Sequence, residues 1–285
     1  MVYSNHSIIA LFPKIQKKES KKLAQKVITF LTHHHFSVVV ENDKASIFQA
    51  PPLSSVPPEQ IQFLITMGGD GSILRVAHQY AHLNASILGI NLGCLGFMAE
   101  VQIGNMISSL THFIRGAYTI KNCIIIEGMS SHKRSFFAIN DCVLHRARNP
   151  NLVEIAISID NLPLNTFKAD GIILATPNGS TAYSLAAGGP IVSPEIDALI
   201  LTPICPHTIS NRPIVIPSTH TICIEYVSQN DPIEFVADGL QYFEINSGDK
   251  VQIKKSSKTF KLVSLKNIDY FSTLRSKLNW SGKLS

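Results

Sequence analysis

The chain has 285 residues, 45% of them hydrophobic and only 16% charged, with a formal net charge of +5. That length holds one large domain or two ordinary ones, and a charged share below the usual quarter or so fits equally a subunit that buries surface in an oligomer and a chain with a deep core. No stretch reaches the roughly 18 apolar residues of a membrane span, and the five cysteines, at 94, 123, 142, 205 and 223, show no Cys-x-x-Cys spacing. Reduced, mostly buried thiols, a cytoplasmic location and no membrane partner are therefore expected.

In chain order, residues 8–12 read as a short strand, too short and with the wrong flanking charges for a signal peptide. A helix is predicted over 19–34, with Leu23, Val27 and Leu31 on one face. His33, His34 and His35 point in different directions from such a helix, so they read as a solvated end rather than a chelate. A strand at 38–40 and a Pro- and Ser-rich loop at 50–58 follow. Residues 61–67 are apolar enough for a strand buried on both faces, and a helix is predicted over 72–82 with Ser72 as its N-cap. A strand at 86–90 and a helix over 105–115 ending at Gly116 complete an alternation that implies a parallel sheet.

From about residue 118 the period changes to two. It is clean over 153–160 and recurs at Ile222, Ile224 and Tyr226, at Val251 and Ile253, and at Phe260 and Leu262. One short helix is expected near 180–187. The fold expected is an N-terminal α/β domain of Rossmann-like or flavodoxin-like class (1–117), a mostly-β sandwich domain (118–266) and a C-terminal segment (267–285) that packs back on the first domain. Residues 250–285 hold nine Lys or Arg against one acid, Asp269. Lys254, Lys255, Lys258 and Lys261 read as the wet face of a C-terminal hairpin, where edge lysines also deter aggregation, and no nucleic-acid partner is expected.

The densest chemical signal is Gly68-Gly69-Asp70-Gly71-Ser72, where a buried strand meets a helix N-terminus. Free backbone N–H groups and the helix dipole there form an anion cradle. A carboxylate in such a cradle is repelled by the anion, so Asp70 needs a purpose. It could hold a metal, or accept a proton from a hydroxyl about to be phosphorylated; a plain structural turn is the other reading. The P-loop, Gly-x-Gly-x-x-Gly and protein-kinase signatures are absent. Further polar clusters follow strand-like runs: Asn140-Asp141, Asp170-Gly171, and the hydroxyl-rich stretch from Thr176 to Ser184 with Tyr183 inside it. Asp238-Gly239 reads equally well as a ligand loop or a turn.

Together these motifs resemble the NAD kinase family. Gly68-Gly69-Asp70-Gly71-Ser72 is similar to the family's Gly-Gly-Asp-Gly-Thr loop, with Ser72 keeping the hydroxyl. Asn91-Leu92-Gly93-Cys94-Leu95-Gly96-Phe97-Met98 resembles its Asn-x-Gly-x-x-Gly-Phe-Leu segment. Asn140-Asp141 resembles its Asn-Glu pair, one methylene shorter in the acid. Asp170-Gly171, Thr176-Pro177-x-Gly179-Ser180-Thr181-Ala182-Tyr183-Ser184 and Gly188-Gly189-Pro190 resemble its longest signature, and Pro206-His207-Thr208 and Arg212-Pro213 also fit.

The resemblance implies transfer of a phosphoryl group from ATP or polyphosphate to the adenosine 2′-hydroxyl of NAD, giving NADP. Asp70 becomes the general base, a role typically worth about 10²- to 10⁴-fold. Gly68, Gly69 and Gly71 admit diphosphate, and Arg75 pairs with a phosphate. Asn140 and Asp141 grip the adenine or ribose edges, Asp170 the nicotinamide amide or ribose, and Lys168 the transferred phosphate. Thr181, Ala182, Tyr183, Ser184, Leu185 and Ala186 line the dinucleotide pocket. The resemblance also implies a divalent cation, Mg²⁺, arriving with the nucleotide, no dedicated metal ligands, and a homodimer or homotetramer. Competing readings are a lipid or sugar-phosphate kinase sharing the glycine–aspartate loop, and a non-catalytic dinucleotide sensor.

Overall fold

The strands and helices that these patterns build are seen in a computed structural model describing residues 8–15, 18–93, 96–265 and 269–280. In chain order they are β1 (Ile8–Pro13), α1 (Lys18–His33), β2 (Ser37–Val40), α2 (Ala45–Phe48), β3 (Ile61–Gly68), α3 (Asp70–Gln79), β4 (Ser86–Asn91), β5 (Val101–Gln102) and α4 (Met106–Ile114). There follow β6 (Tyr118–Ser130), β7 (Ser135–Ala138), β8 (Asp141–His145), β9 (Val153–Ile159), β10 (Leu162–Ala169), β11 (Gly171–Ala175), α5 (Tyr183–Ala186) and β12 (Ala198–Ile204). The last are β13 (Ile214–Pro217), β14 (Ile222–Tyr226), β15 (Ile233–Ala237), β16 (Gln241–Ile245), β17 (Lys250–Leu265) and α6 (Tyr270–Lys277). The chain forms two units: Met1–Asn122 with Lys261–Ser285, and Cys123–Phe260.

The first unit is α/β. Its sheet runs β2-β1-β3-β4 with every pair parallel, extended by the end of β17, where Leu262 pairs with Ile87. The strands are buried on both faces, as their unbroken apolar runs require. Ala24, Val27, Ile28 and Leu31 of α1 pack onto one face with Met106, Leu110 and Phe113 of α4. The strand order reverses direction between β1 and β3, and in open parallel sheets ligands bind outside the carboxyl ends of the strands at such a switch point. The Gly68–Gly69 loop leaves β3 at that place. The helix expected over 105–115 is bounded as anticipated, with Gly116 at a φ of +71° after it.

The second unit is a sandwich of antiparallel sheets. One runs β13-β12-β11-β8-β15-β16 and the other contains β10-β9-β14-β17, with β6 and β7 paired beside β17. Alternate residues of β9 and β14 (Val153, Ile155 and Ile157, and Ile222, Ile224 and Tyr226) are buried in one core with Leu144, Leu174 and Phe235. Phe235 joins Phe136 and Phe243 in an aromatic cluster with ring centroids 4.3 and 4.6 Å from its own.

Some expectations are corrected. The lysines of the predicted C-terminal hairpin lie on one continuous 16-residue strand, β17, which pairs with β14, β4 and β6. The strand runs through the polar stretch 254–259 without a turn, although burial there shifts phase, from Ile253 to Ser256 and then Phe260. The helix expected near 180–187 is a 3₁₀ turn at Asn178–Thr181 followed by the single turn α5. Of the thiols, Cys123 and Cys142 are buried, Cys205 is exposed, and Cys94 lies outside the described residues. Among the described residues no helix is long and apolar enough to cross a membrane.

Candidate functional site

In the first unit the chemistry centres on Asp70. It is the first residue of α3, with Gly69 at the N-cap, so Ser72 is not the cap predicted for it. The helix starts earlier because the Asp70 carboxylate has partners of its own. Oδ2 accepts the Phe97 N–H at 2.8 Å, and Oδ1 accepts those of Met98 and Ala99 at 3.1 and 2.9 Å. A negative charge in the first turn also suits the helix dipole. The approach is close: a Cβ on Gly96 would overlap the carboxylate. That explains the glycine at this place in the Asn91–Met98 motif. Phe97 is backed by α6, with the Tyr270 ring 6.4 Å away and Lys277 Nζ 5.8 Å from the Phe97 centroid. A carboxylate offers about four acceptor sites. Three are engaged, and one on Oδ2 remains.

Beside this loop lies a cleft of about 360 Å³ lined by Lys14, Gly68, Gly69, Asn91 and Gly93, at the carboxyl ends of β1, β3 and β4. Gly69 and Gly71 face open space where a side chain would stand, so their backbone can be approached. Lys14 also lines a second cleft of about 870 Å³ together with Arg75, Glu41, Lys44 and Tyr80. Arg75 Nη1 donates to Glu41 Oε1 at 3.3 Å and to Gln79 Oε1 at 3.2 Å. Glu41 is also paired with Lys44, whose pKa is lowered by burial and by the Arg75 charge. Arg75 is thus held toward this second cleft.

In the second unit Asn140 and Asp141 open β8, and one side chain fixes them. Asp238 accepts the N–H groups of Ile139 at 2.7 Å, Asn140 at 2.8 Å and Asp141 at 3.1 Å. Asp238 and Gly239 have φ of +51° and +67°, a tight turn between β15 and β16 that aims the carboxylate inward. The Asp141 side chain is buried at 7% exposure. Burial first, then the nearby Asp238 charge, push its pKa up to about 7. Thr176, fully buried, donates from Oγ1 to the Ile139 carbonyl at 2.5 Å and accepts the Gly179 N–H at 3.2 Å. Its own N–H donates to the Asn140 carbonyl at 2.8 Å. Gly179 lies flat against the Asn140 backbone, where a Cβ would clash. The two polar clusters singled out in the sequence are thereby one structure.

The remaining predicted residues of this unit sit nearby in the chain but in different settings. Asp170, between β10 and β11, pairs through Oδ1 with Arg146 Nε at 2.8 Å. Lys168 is exposed on β10, and its carbonyl accepts the His207 N–H at 2.8 Å. Thr181 ends the 3₁₀ turn, with Oγ1 on the Asn178 carbonyl at 3.2 Å, and Ala182 leads into α5. Tyr183 is 47% exposed and so presents its ring to solvent, as an element that stacks on a base must. Ser184 is buried, its hydroxyl 2.9 Å from that of Thr202, while Leu185 is partly buried and Ala186 exposed.

Two family models match the chain: the ATP-NAD kinase N-terminal domain over residues 9–118 and the ATP-NAD kinase C-terminal domain over 139–265. A NAD kinase of Protochlamydia amoebophila is 47% identical over 277 residues, spanning 97% of this chain and 99% of that one. The chain belongs to the NAD kinase family. It is thus a kinase of the phosphotransferase class with an alcohol acceptor. Another member, from Geotalea daltonii, is 34% identical over 279 residues, covering 95% of this chain and 98% of the relative. Among solved structures, yeast NADH kinase complexed with NADH matches with a TM-score of 0.85 and 25% identity over 98% of this chain and 89% of that one. A NAD kinase from Archaeoglobus fulgidus in complex with ATP shares the fold, with a TM-score of 0.76 at 23% identity over 96% of this chain and 98% of that one. NAD and ATP are the substrates this family membership supports, and a kinase using ATP works with a divalent cation. Among the described residues no group of three or more His, Cys, Asp or Glu could hold a metal.

Of three supporting residues, Arg146 escaped the sequence reading, while Asp238 and Thr176 were marked there without the contacts they make. Asp238-Gly239 carried a signal, an acid in a turn, but which amides it would meet depends on a contact across about 98 residues of chain.

Proposed function

We propose that the chain transfers the γ-phosphoryl group of ATP, bound with Mg²⁺ as part of the substrate, to the adenosine 2′-hydroxyl of NAD. The 2′-oxygen forms the new P–O bond, the bond to the ADP oxygen breaks, and the hydroxyl proton passes to Asp70. The observation that carries this reading is the anchoring of Asp70. A carboxylate held by three consecutive amides cannot swing, and its one remaining acceptor site on Oδ2 has a fixed direction. Phosphoryl transfer depends on alignment and charge neutralisation, and Gly68, Gly69, Gly71, Lys14 and the start of α3 supply donors for phosphate oxygens. Arg75 serves the phosphates from the neighbouring cleft. Asn140, Asp141, Lys168, Asp170 and the 181–186 segment bind the dinucleotide. The protein works in the cytoplasm as a homodimer or homotetramer.

The test is formation of NADP from NAD, ATP and Mg²⁺ by wild type and by Asp70→Asn. The variant is expected to lose about 10²- to 10⁴-fold in kcat while still binding NAD. Unchanged turnover would remove Asp70 from the proton transfer. Wild type that binds NAD and forms no NADP would leave a dinucleotide-binding protein instead.

A further inference from the structure

Glu100 is buried at 8% exposure and lines neither cleft described above. It lies beyond the Asn91–Met98 motif, so the resemblance assigns it no role. Yet it follows directly on the three residues whose amides hold Asp70. Ser264 Oγ on β17 is 3.1 Å from both of its carboxylate oxygens, the Leu265 N–H donates to it, and Lys121 Nζ on β6 reaches Oε1 at 3.2 Å. Burial pushes the carboxyl pKa up, against the pull of the Lys121 charge and these hydrogen bonds. Stability does not account for such an arrangement, since apolar side chains of similar volume in place of a buried ion pair are often no less stable. The contacts instead fix a short piece of chain. Ala99 packs on β4, where a Cβ on Gly89 would overlap its Cα, and Val101 and Gln102 pair with Ile90 and Asn91. Glu100 ties the residue between them to β17 and β6.

We propose that Glu100 is a positioning residue for phosphoryl transfer, acting through the amides of residues 97–99. Those amides fix the direction of the Asp70 acceptor only as far as their own peptides are fixed. Ala99 and Met98 lie one and two residues ahead of Glu100, so a side chain that holds Glu100 in place restrains the peptides that carry their N–H groups. The support ends on β17, the strand whose Leu262 pairs with Ile87 of β4. Without the Glu100 contacts the segment keeps its pairing at Ile90 and Asn91, but residues 97–99 gain freedom, and the remaining acceptor site of Asp70 wanders with them. A displacement on the order of 1 Å at a reacting group costs up to about 10²-fold in rate. This role deepens the reading of Asp70 as the base and rests on it.

The test measures NADP formation by the full chain carrying Glu100→Ala, alone and together with Asp70→Asn, in a cycling assay sensitive enough for slow variants. Alone, Glu100→Ala is expected to lower kcat about tenfold, with KM for NAD and for ATP within about twofold of wild type. Beside Asp70→Asn the same change is expected to cost less than about twofold, because a base already lost cannot be misplaced. Glu100→Gln, which keeps the length and an oxygen for the Ser264 hydroxyl, should recover kcat to within about threefold of wild type. If Glu100→Ala does not fold, Ser264→Ala, which removes one support of the carboxylate, carries the same cycle with an expected fall of about threefold. An equal fall in both backgrounds overturns the proposal and marks Glu100 as purely structural. A rise of both KM values with kcat intact overturns it too, as does a Glu100→Ala enzyme that turns over like wild type. Those results leave the kinase reading standing. Full turnover by Asp70→Asn alone removes the base itself, and the positioning role falls with it.

Discussion

Asp70 in the first unit and Asp238 in the second do the same mechanical work: each carboxylate accepts the N–H groups of three consecutive residues, 97–99 and 139–141. Each arrangement also has a glycine where no Cβ fits, Gly96 against the Asp70 carboxylate and Gly179 against the backbone that Asp238 holds. Their surroundings differ. Asp70 starts a helix and opens toward a glycine loop beside a cleft, whereas Asp238 sits in a strand turn next to a second, buried acid. The same device therefore yields a fixed acceptor in one place and a perturbed neighbour in the other. An anchored carboxylate acquires chemistry from what its remaining lone pair faces.

Substitutions should separate the two. Asp70→Asn is expected to act on turnover by the 10²- to 10⁴-fold given above, with a small change in melting temperature, because the amide oxygen keeps part of the anchor. Asp238→Ala is expected to act on stability instead, by about 3–5 kcal/mol in denaturant unfolding, since three amides lose a charged acceptor. It should also raise KM for NAD more than it lowers kcat. If both variants lost only turnover, the contrast between anchor and base would collapse.

The Asp141 carboxyl gives a pH test. An unfolded Asp titrates near its ordinary value of 3.8, and the folded one is pushed up to about 7. Between those values the folded state holds the extra proton, so this group's contribution to stability falls as pH rises from about 4 to about 7 and is level above. Asp141→Asn should remove that fall. Relative to wild type it should gain on the order of 2–4 kcal/mol more at pH 8 than at pH 4 in urea titrations. A difference independent of pH would contradict the burial argument.

The glycines sharpen the comparison further. Gly179→Ala meets backbone, which cannot step aside, and should cost about 1–3 kcal/mol of stability. Gly96→Ala meets a side chain, so it should cost less stability and more turnover by displacing Asp70. Arg75→Ala is the smallest change in stability, within about 1 kcal/mol, because its partly exposed ion pair with Glu41 is backed by Lys44.

Much of this was legible in the sequence. An unbroken apolar run marked β3 as doubly buried, β1 and β4 were legible as strands, and a period of two marked β9 and β14. The Gly68–Ser72 and Asn140-Asp141 motifs marked the chemistry. What escaped was mostly non-local. The cap at Asp70 was misread as Ser72 because the partners that draw Asp70 into the helix lie 27–29 residues away. β17 was divided into a hairpin because its polar middle looks like a turn unless the partner strands are known. The clamp at Asp238 was visible as a turn, yet its partners lie where β7 passes into β8, 97–99 residues earlier in the chain.

The sheet of the first unit takes Leu262 as partner to Ile87, although the whole second unit lies between them in the chain. Synthesis is vectorial, so a ribosome releases β1 to β4 long before β17 exists. At about 5–20 residues per second the exposed edge of β4 waits roughly 10–30 s for its neighbour. Throughout that interval β5 covers β4 only at Ile90 and Asn91, and the rest of that apolar edge stays open, the kind that chaperones recognise. The last strand made is the one that seals the first sheet begun, so maturation of the glycine-loop unit is gated by the completion of the other.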